Sequence, residues 1–331
     1  MSEACSTVVL GVDGGGTKTI AVLSDLQGRV LGYGRAGNCD IYNNPYAVDE
    51  VVRAVEQACA LAGIETDRIA NAVFSLAGAD WPEDFAYWQA ALQQRRLGHD
   101  IKVINDAVGV LNSDLPEGNA VVVVCGTGAA IGSRNLNGDT WHSSFWQLTQ
   151  GGGELSENVL RAVYRSALAI APPTSLTMPV LEHHAAASVE DLLHMFTSRE
   201  RERQPRRASL VPILFQEAER GDPAAFEIIS QHGRALGDFA IAAARKVDIA
   251  DKDFHLLLAG GVFRNPSMIM RTSLLDRMRQ YTNAFTVFDS RSEPIKGAVM
   301  AALRLQSCNA SLEVSTMLDS TFPPICFFES A

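Results

Sequence analysis

Two strand–turn–strand segments of the same layout constrain the fold of this 331-residue chain most strongly. In the first, an apolar run at residues 8–12 reaches Asp13, three glycines follow, and a second apolar run starts after Lys18. In the second, residues 120–125 lead into a Gly-Thr-Gly turn and another apolar run. The glycine turns lie about 112 residues apart (14 to 126), and the hairpin turns that follow lie about 110 apart (28 to 138). This nearly constant offset predicts two related lobes, each opening with a β-meander.

Alternating helices and strands are predicted after each meander. Apolar spacing predicts a helix over residues 48–62, closed by Gly63, and a strand over 69–76. In the second half the predicted helices are 158–170, 210–220, 223–247, 266–279 and 294–305, and the predicted strands are 254–258 and 286–288. The pattern favours an α/β fold with a mixed sheet covered by helices in each lobe. The expected domains are residues 1–115 and 116–331, with a helical excursion at about 171–220.

Composition excludes several classes of function. The chain has 28 Lys+Arg against 38 Asp+Glu and a net charge of −10, which argues against nucleic-acid binding. The basic stretch at residues 199–207 alternates in sign and is typical of a solvated surface. We expect no membrane partner, because no apolar run approaches the roughly 20 residues of a membrane helix. The six cysteines form no CxxC pair, which favours free thiols in the cytoplasm over zinc or iron–sulfur sites.

The glycine turns do not match the common nucleotide-binding loops. A P-loop requires Gly-Lys-Ser/Thr before a helix, but here Thr17 precedes Lys18 and a strand follows. The turn at residues 126–132 resembles a dinucleotide fingerprint, but a hairpin turn follows too soon for a Rossmann helix. The remaining interpretation is a pair of hairpins whose backbone N–H groups bind a polyphosphate. Asp13 would then hold the water shell of Mg²⁺, and Lys18 would add positive charge.

The motifs taken together resemble a known family. VDGGGTKT, AGAD, NDA, CGTG and AGGVFRN, in this order, are similar to motifs of the sugar kinases in the actin-like ATPase superfamily. The nearest group is N-acetylglucosamine kinase and its relatives in the BadF/BadG/BcrA/BcrD ATPase family. The resemblance covers residues 7 to about 305. It implies two ribonuclease-H-like domains with a cleft between them, ATP and Mg²⁺ as cofactors, and an amino sugar as substrate.

The resemblance also assigns roles to individual residues. Asp106 falls on the catalytic aspartate, which would accept the proton of the sugar hydroxyl. The residues implied at the nucleotide are Asp13 (also for the metal), Gly14, Gly15, Gly16, Thr17, Lys18, Gly126, Thr127, Gly128, Gly260, Gly261 and Asn265. The residues implied at the sugar are Asn38, Asp80 and Asp106, with Trp146 as a stacking surface and Glu154 as a substitute acid.

One departure from the family leaves the substrate open. Relatives carry GDEGS where this chain has Gln150, Gly151, Gly152, Gly153 and Glu154, so both acids of that motif, at positions 151 and 152, are absent. A histidine that follows the sugar asparagine in relatives is Cys39 here. The leading hypothesis is phosphorylation of N-acetylglucosamine at its 6-hydroxyl, with glucosamine as an alternative substrate. The competing hypothesis is an ATPase that activates or senses a partner protein. The apolar tail, residues 307–331, is expected to add a strand or to cover an interface, such as that of a homodimer.

Overall fold

The computed structural model describes residues 7–146, 151–199, 210–290, 292–306 and 312–328. These residues form two compact units, which are treated separately below. The first unit comprises residues 1–122, 132–142 and 290–331, and the second comprises residues 123–131 and 143–289. The expected domain boundary at residues 115 and 116 stays a prediction.

A five-stranded mixed sheet lies in the first unit, with the order β3-β2-β1-β4-β5. Its strands are β1 (Val8–Gly14), β2 (Thr19–Asp25), β3 (Val30–Ala36), β4 (Ile69–Leu76) and β5 (Asp100–Asn105). β1, β2 and β3 pair antiparallel, which confirms the predicted meander, whereas β4 and β5 are parallel to β1. The carboxyl ends of β1, β4 and β5 therefore lie at one edge of the sheet.

A second five-stranded sheet has the order β10-β9-β6-β7-β8. Its strands are β6 (Ala120–Cys125), β7 (Ala129–Arg134), β8 (Thr140–His142), β9 (Phe254–Ala259) and β10 (Phe285–Asp289). β7 and β8 are antiparallel, and β9 and β10 are parallel. The two mixed sheets confirm the predicted α/β class.

The helices follow the predicted pattern, with shifted ends. They are α1 (Ala47–Ala62), α2 (Pro82–Gln94), α3 (Asp106–Val110), α4 (Gly152–Ala167), α5 (Thr177–His184), α6 (Val189–Thr197), α7 (Val211–Glu219), α8 (Pro223–Lys246), α9 (Ile269–Arg279), α10 (Ile295–Leu305) and α11 (Leu312–Thr321). Gly63 closes α1 in the left-handed conformation, as predicted. None of the described helices is both long and apolar enough to cross a bilayer. Most of the basic stretch at 199–207 lies outside the described residues.

The start of α4 differs from the prediction. The sequence pattern begins the helix at residue 158, because consecutive glycines are poor helix formers. In the structure the helix begins at Gly152, whose N–H donates to the Gly126 carbonyl (2.8 Å). A tertiary hydrogen bond thus supports a helical turn that local propensity disfavours.

The described part of the tail, residues 312–328, forms a helix and a short 3-10 turn rather than a strand. Leu318 is fully buried and Phe328 is 5% exposed. Both pack into an apolar cluster with β1, β2 and α10 that includes Val9, Ile20 and Val299. The tail is therefore part of the core of the first unit.

Leu318→Ala is expected to destabilise the protein by about 2–5 kcal/mol, because it leaves a cavity in this cluster. Chemical denaturation followed by circular dichroism measures the change. Leu312→Ala is the matched control, since Leu312 is on the same helix and 83% exposed. Equal stability of the two variants would contradict a structural role for the tail.

Candidate active site

The first glycine turn holds two neighbouring loops in place. The Gly14 carbonyl accepts a hydrogen bond from Ala77 N (2.7 Å), and the Gly15 carbonyl accepts one from Cys39 N (3.1 Å). A Cβ on Gly14 would lie 2.2 Å from Cys39 Sγ, so only glycine allows this approach. The turn therefore brings the 37–40 and 77–80 loops to the edge where β1, β4 and β5 end.

Asp13 lies near the end of β1, beside Ser75 of β4. Burial, together with repulsion from Asp106, raises the pKa of Asp13 to about 7, although Lys18 acts to lower it. Glu293 also raises this pKa. The sequence analysis did not single out Glu293, because it lies 280 residues away (293 − 13) and outside every motif.

Asp106 is the first residue of α3, directly after β5. Burial raises the pKa of its carboxyl to about 6, and the charges of Asp80 and Asp40 act in the same direction. A hydrogen bond from Ala107 N to Asp106 Oδ1 (2.8 Å) lowers the pKa. A carboxylate with a pKa near neutrality is suited to accept a proton in catalysis.

Asn105 connects Asp106 to the 77–80 loop, and the sequence analysis gave it no role. Its Oδ1 caps α3 by accepting from Ala107 N (3.0 Å), and its Nδ2 donates to Asp80 Oδ1 (3.0 Å) and to the Ala79 carbonyl (3.3 Å). Asn105 is 4% exposed. An asparagine before a short helix is a typical N-cap pattern, which was the one available signal.

Asn105→Ala is expected to destabilise the protein by about 1–3 kcal/mol, because it removes the cap and leaves buried groups unsatisfied. It is also expected to lower catalytic turnover, since both Asp80 and Asp106 lose a fixed position. Asn137→Ala is the control, because Asn137 is an exposed turn residue. Denaturation and steady-state kinetics on both variants measure the two effects. Unchanged stability and turnover in Asn105→Ala would exclude this positioning role.

Asp80 lies in a polar network at the same edge. Its carboxylate Oδ1 is 4.0 Å from Nδ1 of His142, a residue at the end of β8 to which the sequence analysis gave no role. Asp84 Oδ2 accepts from Trp81 N (2.8 Å) and from the Tyr42 hydroxyl (2.8 Å). The network fixes the loop that carries Asp80.

Asn38 and Lys18 have local partners in the structure. Asn38 Oδ1 accepts from Asp40 N (2.7 Å), and its carbonyl accepts from Asn44 Nδ2 (2.6 Å). The Lys18 ammonium donates to the Phe328 carbonyl of the tail. The first unit thus brings together Asp13, Asn38, Asp80 and Asp106. Lys18 also contacts the tail, a segment that the sequence motifs did not connect to it.

The second glycine turn lies in the second unit, against the start of α4. Gly126 N donates to the Gly128 carbonyl (2.8 Å). The Gly126 and Thr127 carbonyls accept from Gly152 N (2.8 Å) and Gly153 N (3.1 Å). The first N–H groups of α4 therefore hold the turn, and Gly152 is one of the two positions at which the family resemblance implies an acid.

Several glycines in the two turns have no structural explanation within the described residues. A Cβ on Gly16, Gly126 or Gly128 would meet no heavy atom within 4 Å, and none of the three has a positive φ. Neither packing nor backbone conformation requires glycine there. A bare backbone beside open space fits the close approach of a ligand such as a phosphate group.

The 260–265 segment lies beside the second turn. Gly260 has a φ of +97°, and a Cβ there would be 2.3 Å from the Cys125 carbonyl. The same carbonyl accepts from Val262 N (3.0 Å). Asn265 Oδ1 accepts from Ser267 N (3.0 Å), and a Cβ on Gly261 would again meet open space. Gly260 and Gly261 are thus held next to residues 126–128 in the second unit.

Trp146 and Glu154 also belong to the second unit. Trp146 is 64% exposed, and the Lys246 ammonium lies 5.4 Å from the centre of its ring. Glu154 lines a cavity between α4 and α8. Their roles at the sugar stay predictions. Residues 147–150, which lie between Trp146 and Glu154 in the sequence, are outside the described residues.

A magnesium ion fits the acidic groups of the first unit. Burial and repulsion from Asp106 and Glu293 raise the pKa of Asp13, an effect that a divalent cation would relieve. Oxygen ligands and retained water are the usual surroundings of Mg²⁺. Asp13 is the residue that would hold the ion through its water shell.

Comparison with known proteins identifies the family. The sequence pattern of the BadF/BadG/BcrA/BcrD ATPase family matches residues 10–302. The chain belongs to this family. It is 26% identical to an N-acetyl-D-glucosamine kinase of Dictyostelium discoideum, with 89% of this chain and 98% of the relative aligned. It is 29% identical to the glucosamine kinase GspK of Vibrio cholerae, with 72% and 80% aligned.

A solved structure supports the fold of this family member. A Chromobacterium violaceum protein with a provisional N-acetylglucosamine kinase name superimposes with a TM-score of 0.67, at 20% identity, covering 90% of this chain and 99% of that one. At this identity the likeness establishes the fold, which is that of the actin-like ATPases. The two predicted ribonuclease-H-like sheets are confirmed.

Proposed function

We propose that this protein is an ATP-dependent kinase of amino sugars, with N-acetylglucosamine as the substrate and its 6-phosphate as the product. The observation that carries the proposal is the buried Asp106 carboxyl, which lies beside Asp80 and interacts electrostatically with Asp13 of the glycine turn. Phosphoryl transfer needs a base at the acceptor and a cation at the phosphates. The first unit supplies residues for both.

Asp106 is the proposed general base. In the transfer step the sugar 6-oxygen forms a bond to the γ-phosphorus of ATP, while the bond from that phosphorus to the β,γ-bridging oxygen breaks. The hydroxyl proton passes to Asp106, and ADP leaves. Mg²⁺, when bound, neutralises the charge of the phosphates.

Asp80 and Asn38 are the proposed sugar contacts in the first unit. Asp80 is held by Asn105 and offers a carboxylate acceptor for sugar hydroxyls. Asn38 retains its Nδ2 as a donor, since its Oδ1 accepts from Asp40 N. For the nucleotide, we assign phosphate binding to residues 14–18 and 126–128, and adenosine binding to Gly260, Gly261 and Asn265. The open space beside Gly16, Gly126 and Gly128 supports this assignment.

The substrate is tested by measuring ADP release from Mg-ATP in the presence of single sugars. The panel is N-acetylglucosamine, glucosamine, N-acetylmannosamine and glucose. We expect N-acetylglucosamine to stimulate ADP release most strongly, and mass spectrometry of the product to show one added phosphoryl group. Stronger stimulation by glucosamine would make glucosamine the assigned substrate, and the proposed reaction would still be phosphoryl transfer from ATP to an amino sugar.

One observation supports a second candidate function. The family acids expected at residues 151 and 152 are glycines, and the N–H group of Gly152 instead donates to the Gly126 carbonyl. An ATPase that activates or senses a partner protein would need no sugar contacts there. ATP hydrolysis that no sugar stimulates would favour this function and exclude the kinase.

A further inference from the structure

A short turn in the tail contacts the first glycine turn through its backbone carbonyls. This tail turn is the 3-10 helix Ile325–Phe327 together with Phe328. The N–H groups of its last two residues are used internally, because Phe327 N and Phe328 N donate to the carbonyls of Pro324 and Ile325 (2.9 Å each). The last carbonyls of a helix have no partner within the helix and attract positive side chains. In the tail turn the carbonyls of residues 327 and 328 both accept from such side chains.

The two cations come from the same part of the first sheet. Lys18, just before β2, donates its ammonium to the Phe328 carbonyl, and Arg35 of β3 donates its Nη1 to the Phe327 carbonyl (2.8 Å). Arg35 pairs with Ile20 in the register of β2 and β3, two residues beyond Lys18. Hydrogen bonds from a charged donor are stronger than neutral ones. Two of them therefore hold the backbone of the tail turn against the sheet.

The ring of Phe328 anchors the turn from its other side. Phe328 is 5% exposed and packs into the apolar cluster shared by β1, β2 and α10. The centre of its ring lies 6.2 Å from that of Phe322 and 5.4 Å from that of Phe327, both edge-to-face. The Phe327 ring in turn contacts Tyr33 at 4.8 Å. Because the ring of Phe328 is fixed in the core, its carbonyl has a fixed position, and so has the ammonium that donates to it.

The ammonium of Lys18 is held close to an acidic group of the site. Its charge acts to lower the pKa of Asp13, so the two groups interact. A lysine ammonium has three N–H donors, of which the Phe328 carbonyl uses one. The long lysine stem loses rotamer freedom when it binds a phosphate. A carbonyl that already holds the ammonium lowers this entropic cost, which is the general advantage of preorganisation.

We infer that the Phe328 carbonyl belongs to the phosphate site and positions Lys18 for ATP. The inference rests on the assignment of Lys18 to the ATP phosphates in the proposed function. Phe328 acts only through Lys18, so it is a positioning residue rather than a catalytic one. The tail turn thereby supports a phosphate contact made 310 residues earlier in the chain.

Calorimetry with a non-hydrolysable ATP analogue and Mg²⁺ tests the inference. Phe328→Ala removes the ring that anchors the carbonyl, and it is expected to weaken binding of the analogue about five- to tenfold, the effect of leaving one long side chain unpositioned. Ile325→Ala is the matched control, because Ile325 lies in the same turn and is 62% exposed. We expect it to leave the affinity unchanged. Lys18→Met keeps the stem, removes the ammonium and is expected to weaken binding more than Phe328→Ala does.

A double-mutant cycle separates positioning from a general structural effect. In the Lys18→Met background, Phe328→Ala is expected to cause no further loss, because no ammonium is left for the carbonyl to hold. A loss that came from altered packing alone would be the same in both backgrounds. Arg35→Met is a second variant, since it frees the Phe327 carbonyl and keeps the buried ring of Phe328. It is expected to weaken binding about twofold or more, again only where Lys18 is present. Circular dichroism verifies the fold of each variant.

Several results would overturn the inference. These are an unchanged affinity in Phe328→Ala, an equal loss in both backgrounds, or an unchanged affinity in Lys18→Met. Tighter binding by Phe328→Ala would also overturn it, and would show that the tail turn keeps Lys18 away from the nucleotide. The kinase proposal is tested separately, by the stimulation of ADP release by sugars. A protein that showed the expected cycle without sugar stimulation would retain this inference and contradict the kinase, and the converse result would do the opposite.

Discussion

Asp106→Asn is expected to lower sugar-dependent turnover at least about 100-fold while leaving the affinity for ATP unchanged, because the amide cannot accept the hydroxyl proton. The substitution keeps the shape of the side chain and the oxygen that accepts from Ala107 N. The side chain of residue 106 therefore keeps its position at the start of α3. Turnover is measured by coupled ADP release, and ATP affinity by calorimetry.

The pH profile gives a second measurement on Asp106. Burial raises the pKa of this carboxyl to about 6. A base must be ionised to act, so kcat/KM of the unaltered enzyme is expected to fall as pH decreases below about 6. The residual activity of Asp106→Asn is expected to lose this acidic limb.

Asp67→Asn is the control for Asp106, since Asp67 is an exposed residue of the same unit. Near-normal turnover in Asp106→Asn would remove the general base from the mechanism. A large loss in Asp67→Asn as well would indicate a general effect of charge rather than catalysis.

The architecture was largely predictable from local pattern. Apolar β-branched runs and glycine turns predicted both meanders, and Gly63 correctly predicted the end of α1. These features depend on neighbours in sequence, which is why a single sequence reveals them. The carboxyl ends of β1, β4 and β5 then bring Asp13, Asp80 and Asp106 to one edge of the sheet.

Long-range contacts account for what was missed. Gly152 begins α4 because of the Gly126 carbonyl, and Lys18 donates to Phe328 across 310 residues. Asn105 positions Asp80 through a side-chain contact that spacing does not reveal. The cavity beside Glu154 results from the packing of α4 against α8, so no motif marks it.

Asp13→Asn is expected to raise the Mg²⁺ concentration needed for half-maximal activity at least about tenfold, because it removes the carboxylate that would hold the hydrated ion. Turnover at a fixed, subsaturating Mg²⁺ concentration falls accordingly. Titration of activity with Mg²⁺ at constant ATP measures the shift. An unchanged Mg²⁺ dependence would exclude Asp13 as the metal residue.

The same substitution is expected to stabilise the ligand-free protein at pH 8. Burial and Asp106 raise the pKa of Asp13 from 3.8 to about 7 in the folded protein. The free energy of unfolding is therefore highest, as far as this group is concerned, below pH 3.8, and this contribution is lost as the pH rises through about 7. Asparagine carries no charge and avoids this loss. The variant should therefore have a Tm a few degrees above that of the unaltered protein at pH 8, and the difference should shrink as pH is lowered toward 4.

With Mg-ATP, the unaltered protein should melt higher than Asp13→Asn. The bound cation interacts favourably with the ionised Asp13 carboxylate, and a ligand that binds the folded state stabilises it. Thermal melts of both proteins, with and without Mg-ATP, provide the comparison. A lower Tm of Asp13→Asn than of the unaltered protein at pH 8 without ligand would show that the Asp13 carboxylate stabilises the fold. That result would contradict the view that its charge destabilises the ligand-free protein and serves to bind the metal.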